Sequence, residues 1–443
     1  MSGTSQQTET TCRRAARRLL RDRRGVTTMA FAAGAVALFG AVAIAADAGV
    51  WYSARRGAQN AADVAAAAAA TSLAMSGAAA ARAAALDVSG RNGFANLAPS
   101  SVVVNIPPTS GANRTNASAV EVIVRQQQDL GAAGFFLAAA PTVQGRSVAA
   151  LRDASNVCVL ALTGALSFGG NAVVNAPNCV LASNRRSLAG VTSNGNSFDV
   201  IAFSLSTVGS CPGCDSSRFQ LTQRFGEWQV PVENPFAHLD TKALPAFSAG
   251  TCLDPGNKPT SLAPFETNGR RAYCDDIRVN GNQTLTLTPG TYYLHNASLT
   301  LQGGRLRCPA CTGDAGVTIV LTGSPGSIGD ITINGNAEVE NLRAPNAPAD
   351  PDFRGVLLFR DGRATNTGGN GNPPVRINGG ANLNLMGGMY FPNAHSRFNG
   401  TAGTALCGVL VGGSFEFTGN AGVARCAEVG TRVPQTRIVV VAE

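Results

Sequence analysis

Twenty-one consecutive residues, 26–46, carry no charge and are rich in Ala, Val, Phe and Leu. Wound into an α-helix rising 1.5 Å per residue, they extend roughly 30 Å, the thickness of a bilayer's hydrocarbon layer. A secretory signal begins in the same way, but its apolar core runs to about 7–15 residues and ends at a small-residue cleavage site. Ala43-Ile44-Ala45 fits such a site, so cleavage stands as the alternative to a membrane span. The flank decides orientation. Arg13, Arg14, Arg17, Arg18, Arg21, Arg23 and Arg24 stand against Glu9 and Asp22, so +5 of the formal net charge of +8 lies in residues 1–24. Cationic flanks stay cytoplasmic, which predicts a cytoplasmic arm and a large ectodomain outside, with Trp51 and Tyr52 at the outer interface.

That location of charge removes the nucleic-acid reading that a pI of 9.1 invites. A DNA or RNA binder sets its basic groups on a folded surface where they displace counterions from phosphate. Here they flank an apolar segment. Charged residues make up 14% of the chain, below the ~25% of ordinary soluble domains, yet no later stretch approaches the ~20 apolar residues of a further span. Hydrophobic residues at 44% supply enough core material to exclude disorder as the dominant state.

Cysteine usage agrees with an extracytoplasmic ectodomain. Cys12 lies in the basic arm and ten cysteines lie beyond the span, an even number suited to an oxidising compartment. They fall into sequence-local couples that are disulfide candidates: Cys158 with Cys179, Cys211 with Cys214, Cys252 with Cys274, Cys308 with Cys311, and Cys407 with Cys426. The two CxxC units, Cys211-Pro-Gly-Cys214 and Cys308-Pro-Ala-Cys311, also allow zinc or redox readings. A structural zinc site draws its ligands from one compact module, and a redox pair places its first Cys at a helix start. These units sit far apart among Gly, Pro and Ser.

Four segments follow from the pattern: a cytoplasmic basic arm (1–24), a membrane and periplasmic helix (25–87), a small α+β unit (88–155) and an Asn/Gly-rich β region (156–443). Residues 47–86 are dominated by alanine, the best helix former, with interruptions expected at Gly57 and Gly77. Arg56, Gln59, Asn60 and Asp63 recur at spacings of three and four and form one polar stripe, which reads equally well as a solvated face. Residues 101–106 and 119–125 are β-branched runs separated by Pro107-Pro108 and Gly111; 130–140 suits a short helix and 142–151 a strand. Beyond Cys158, short strands alternate with Asn/Gly turns such as Asn194-Gly195-Asn196, Asn280-Gly281-Asn282 and Asn334-Gly335-Asn336. A loose repeat of this kind predicts a parallel β-helix; a hairpin-built β-sandwich is the alternative, because Asn-Gly also favours hairpins.

Little in the chain suggests catalysis. None of His238, His295 and His395 lies in a nucleophile motif, and a solenoid hydrolase or lyase needs clustered carboxylates where only Asp275-Asp276 are adjacent. The reading is therefore a non-enzymatic protein without cofactor, metal site, small-molecule substrate or nucleic acid.

One stretch resembles a known family. Arg24-Gly25-Val26, the apolar span, Asp47-Ala-Gly-Val-Trp51-Tyr52 and then Ala58-Gln59-Asn60-Ala61-Ala62-Asp63 before polyalanine resemble the N-terminal domain of TadE/TadG-like Flp pilus (tight adherence) assembly proteins. Ala58 replaces the usual Leu. The motif residues are Gly25, Asp47, Trp51, Tyr52, Gln59, Asn60 and Asp63. The resemblance implies a single-pass protein of a Gram-negative-type inner membrane with a periplasmic ectodomain, supporting Flp pilus assembly or anchoring and cell adhesion, with pilus-assembly or envelope proteins as partners. Several relatives carry an adhesion domain with an Asp-x-Ser-x-Ser turn; Asp87-Val-Ser89-Gly-Arg91 and Asp153-Ala-Ser155-Asn-Val157 lack its last hydroxyl. The different-class alternative is a secreted or surface carbohydrate-active β-helix protein. A minor pseudopilin, cut after Gly25, would want Glu five residues on, where Ala30 stands.

Overall fold

The computed structural model describes residues 25–135, 137–186, 189–195, 197–368, 372–378, 383–399, 405–419, 421–424 and 430–443. The basic arm lies outside them. Two compact units divide the chain, one ending at Leu151 and including Val439–Glu443, the other comprising Arg152–Ile438.

In the first unit, helix α1 (Val26–Ser76) is followed by α2 (Ala78–Arg91). Gly77, at φ 86°, separates them with a backbone state that other residues take up only under strain. Gly57 does not interrupt the helix as expected; the Phe94 ring packs beside it, 3.5 Å from where a Cβ would stand. No described side chain between 27 and 57 is buried. Beyond this point α1 meets a sheet.

That sheet is antiparallel. Strand β1 (Ser100–Asn105) pairs with β2 (Ala119–Gln127), and β2 with the first part of β3 (Thr142–Ala161), in registers such as Val103↔Ile123 and Val122↔Ser147. Alternation turns Val102, Val104, Val120, Val122 and Val124 to one side. They share a core with Ala58, Ala61, Ala62, Ala65, Ala66, Ala69 and Ala70, which form one stripe of α1. Alanine gives up contact area but lets the helix lie close to the strands. A Cβ on Gly145 of β3 would fall 2.4 Å from the carbonyl carbon of Ala58. The helix expected at 130–140 is reduced to a 3₁₀ turn, Ala132–Phe135, in a stretch that Gly131 and Gly134 weaken as a helix; the Ala133 N–H, in its first turn, donates to the Asp47 carboxylate at 2.5 Å.

The second unit is mainly β, and its named strands pair in parallel, which a sandwich built from hairpins does not give. Between 261 and 386 each strand generally stacks on the strand three along, and at 157–207 on the strand two along. Leu299–Gln302, for example, lies between Ile277–Asn280 and Ile331–Ile333, and Gly290–His295 pairs with Val317–Thr322. Alternation again sorts the side chains. Leu299, Leu301, Ile331 and Ile333 are buried in a shared core, while Thr300 and Thr332 face outward.

Spatial order departs from chain order. Strand Ala405–Phe417 pairs on one edge with Leu383–Asn399 and on the other with Val159–Ala161 and Leu166–Gly169. The tiers built from 157–226 therefore continue the stack that begins at 252 and climbs to 424. Residues 227–251 make the return journey. Val232 exchanges two hydrogen bonds with Asn184, Phe236 packs on Tyr390 at 5.4 Å, Lys242 pairs with Asp350 and Asp352, and Phe247 reaches Tyr293. The junction of the two runs is sealed inside by aromatic rings. Phe398, Phe417 and Phe168 occupy successive register positions and stack with centroids 5.6 Å apart at each step.

Candidate functional site

The motif residues converge on the place where α1 meets the strands. Asp47 caps the 3₁₀ turn through Ala133, and a Cβ on Gly131 would lie 2.3 Å from its Oδ1, so backbone is pressed against the carboxylate. One turn further along α1, Trp51 Nε1 donates to the Asp129 carbonyl at 3.3 Å. Gln59 grips β3 from both sides of its amide: Nε2 donates to the Arg146 carbonyl at 2.8 Å and Oε1 accepts from the Arg146 N–H at 3.1 Å. Its Nε2 also donates to Asp63, four residues on. The polar stripe is thus a fastening and only partly a solvated face. Asn60 and Tyr52 are exposed, Arg56 lying over the Tyr52 ring at 5.9 Å. Gly25 stands at the start of α1 with open space around it.

Two residues that sequence reasoning missed complete this region. Glu121 on β2 is fully buried and receives Asn105 Nδ2, Thr109 N and Oγ1, and Arg146 Nε, the last at 2.7 Å. Burial pushes its carboxyl up, but donors from Thr109, Asn105 and Arg146 outweigh burial and hold it at about 2. Arg146 also pairs with Glu443 at 3.1 Å, and Glu443 accepts the Ala112 N–H. A lone acid in the apolar run Val120-Glu-Val-Ile-Val124 was the available signal, since a carboxylate there needs a buried partner.

Elsewhere, disulfides join Cys158 to Cys179, Cys211 to Cys214, Cys252 to Cys274 and Cys308 to Cys311. Each CxxC is thereby closed on itself. The Cys407 side chain and Cys426 lie outside the described residues. His238 meets the Asp352 carbonyl at 3.0 Å, and His295 packs edge-on to Phe247, burial lowering its pKa. His395 is less ordinary. Register pairing sets it beside Ser414 at 2.8 Å, with Glu416 3.3 Å from its other nitrogen. These are the groups of a nucleophilic triad, but Arg397 claims the same Glu416 oxygen at 2.8 Å. A polar cleft of about 570 Å³ brings Asp254 near Asp275 and Asp276; Asp276 is held by Arg278 and the Ser298 N–H. Among the described residues no group of three His, Cys, Asp or Glu is placed to hold a metal.

Comparison with known proteins bears on the same helix. Residues 25–72 match the family described as putative Flp pilus-assembly TadE/G-like. The crystal structure of competence-associated pilin ComZ from Thermus thermophilus matches at 12% identity over 79% of this chain and 89% of that one; its TM-score of 0.27 is too low to bear on the fold. No curated protein matches the chain.

Proposed function

We propose that the chain is a membrane-anchored structural protein of Flp-type pilus assembly, without enzymatic activity. In this reading α1 crosses the inner membrane once, residues 1–24 stay in the cytoplasm, and everything beyond about residue 47 is periplasmic. The observation that carries it is the coincidence of the 25–72 match with a helix whose first part is uncharged and bare and whose second part is fastened to a sheet. A bare apolar helix of that length is costly in water and stable in lipid.

The ectodomain is proposed to be a parallel β-helix. Parallel stacking of strands on the third strand along in one run and the second in another, with Leu, Ile, Val and Phe turned to a common interior, supports it. Such a body offers strand edges and polar outer faces to pilus-assembly or envelope partners. Disulfides keep its loops in place in an oxidising compartment.

Topology and piliation test this reading. Reporter fusions after Arg24 and after Ser89 should report cytoplasm and periplasm respectively. Deleting the gene should abolish Flp-type pili seen by electron microscopy, and the full-length chain should restore them. Fusions on one side, or normal piliation without the protein, would overturn it. Intact mass separates the neighbouring readings: a chain starting at Val26 would be a minor pseudopilin, one starting near Ala46 a secreted protein.

A further inference from the structure

We infer that the loop around the 3₁₀ turn Ala132–Phe135 is a second membrane contact, with Phe135 and Leu137 dipping into the leaflet on the ectodomain side. This rests on the spanning reading of α1. The argument begins with register along the helix. Trp51 holds the loop at the Asp129 carbonyl and Asp47, one turn nearer the span, holds it at the Ala133 N–H. Between these two points the loop descends α1 toward residue 46, the last of the uncharged stretch. Close packing of Gly131 on Asp47 fixes that descent.

Composition then agrees with position. Residues 130–140 carry no charge, and the 3₁₀ turn ends on Phe135. Phe135 is 89% exposed, more than any other large hydrophobic residue described, including those of the bare part of α1. Phe168, Phe236, Phe353 and Phe417, by contrast, are fully buried. A single exposed phenylalanine needs no explanation on an arbitrary surface. This one follows the attachment to Asp47 at the end of a bilayer-length helix, the membrane–water boundary where aromatic rings are enriched in membrane proteins. The occupant that fits is phospholipid at the boundary of headgroups and acyl chains. Two attachments on one helix side would also fix the rotation of α1 about its axis relative to the bilayer.

Tryptophan fluorescence of the full-length chain in phosphatidylcholine/phosphatidylglycerol vesicles tests this. Emission of Phe135→Trp and Phe39→Trp, each after subtraction of the wild-type signal, is compared in plain vesicles and in vesicles whose acyl chains are brominated near their headgroup end. The expected result is a blue-shifted extra emission at 135 that bromine quenches about twofold or more, as for a ring in the interface, together with quenching at 39. Quenching at 39 alone would overturn the loop contact and leave the span standing, and would point to water or a protein partner at Phe135. Quenching at neither would overturn both.

Discussion

Gly145 sets how near α1 can come to the sheet. Its missing Cβ is where the Ala58 carbonyl passes, so Gly145→Val must push backbone away from backbone. Overpacking of that kind costs about 1–3 kcal/mol, and the expected outcome is a matching loss in the chemical unfolding of the first unit. Glu121 acts through protonation. Its folded pKa of about 2 lies below the ordinary 4.5, so its contribution to stability is complete above about pH 4.5 and disappears as pH falls from there through 2. Unfolding midpoints measured across that window should decline, and Glu121→Gln should flatten the decline while lowering stability at neutral pH. A decline unchanged in the variant would assign it to other carboxylates. The role of Gly145 could not be read from the chain, and for Glu121 the chain showed only an acid in an apolar run, not its partners. Arg56, Gln59, Asn60 and Asp63 announced a stripe through their spacing, but that Gln59 clasps Arg146 depends on a partner 87 residues away.

Among the elements, the strand stack depends most on its internal junction. Phe168 stacks on Phe417 at the point where tiers distant in sequence meet. Phe168→Ala should cost about 3–5 kcal/mol, read as earlier denaturant unfolding of the second unit, with hydrogen exchange rising first in 157–226. A uniform rise over all strands would instead mean that the stack melts as one. Much of the element pattern was legible. The α1 helix follows from apolar length and alanine, and strands at 284–287, 317–322 and 356–360 fall in β-branched or apolar runs between Gly and Asn turns. Alternation tells which side chains turn inward at 284–287, whereas 317–322 and 356–360 are buried along their whole length. It does not tell which strand lies next door, because apolar edges of equal period fit many neighbours. The triad-like grouping of His395, Ser414 and Glu416 was hidden for the same reason: it exists only in one register of two stacked strands. At 130–140 alanine favoured a helix and Gly131 and Gly134 opposed it, and only the 3₁₀ turn that Asp47 caps is formed.

At the scale of the whole molecule, covalent order and stacking order can be separated by experiment. A protease site inserted between the exposed Ser248 and Ala249 would cut the return segment without touching a strand. Because 405–417 pairs directly with 159–161 and 166–169, both fragments should elute together in detergent and part only in denaturant. Separation without denaturant would contradict the stacked order. The same pairing has a consequence for biogenesis. Thr163 hydrogen-bonds Gly413, 250 positions later, so a chain made from its N-terminus delivers the strands at 157–226 long before the tier on which they rest has emerged. Until residues 405–417 arrive, those strands carry an open edge, the kind of surface on which nascent chains aggregate. If the ectodomain is exported as proposed, its folding should be limited by how long that edge can be sheltered, and the early Cys158–Cys179 bond joins two of the waiting strands while the rest is still being made.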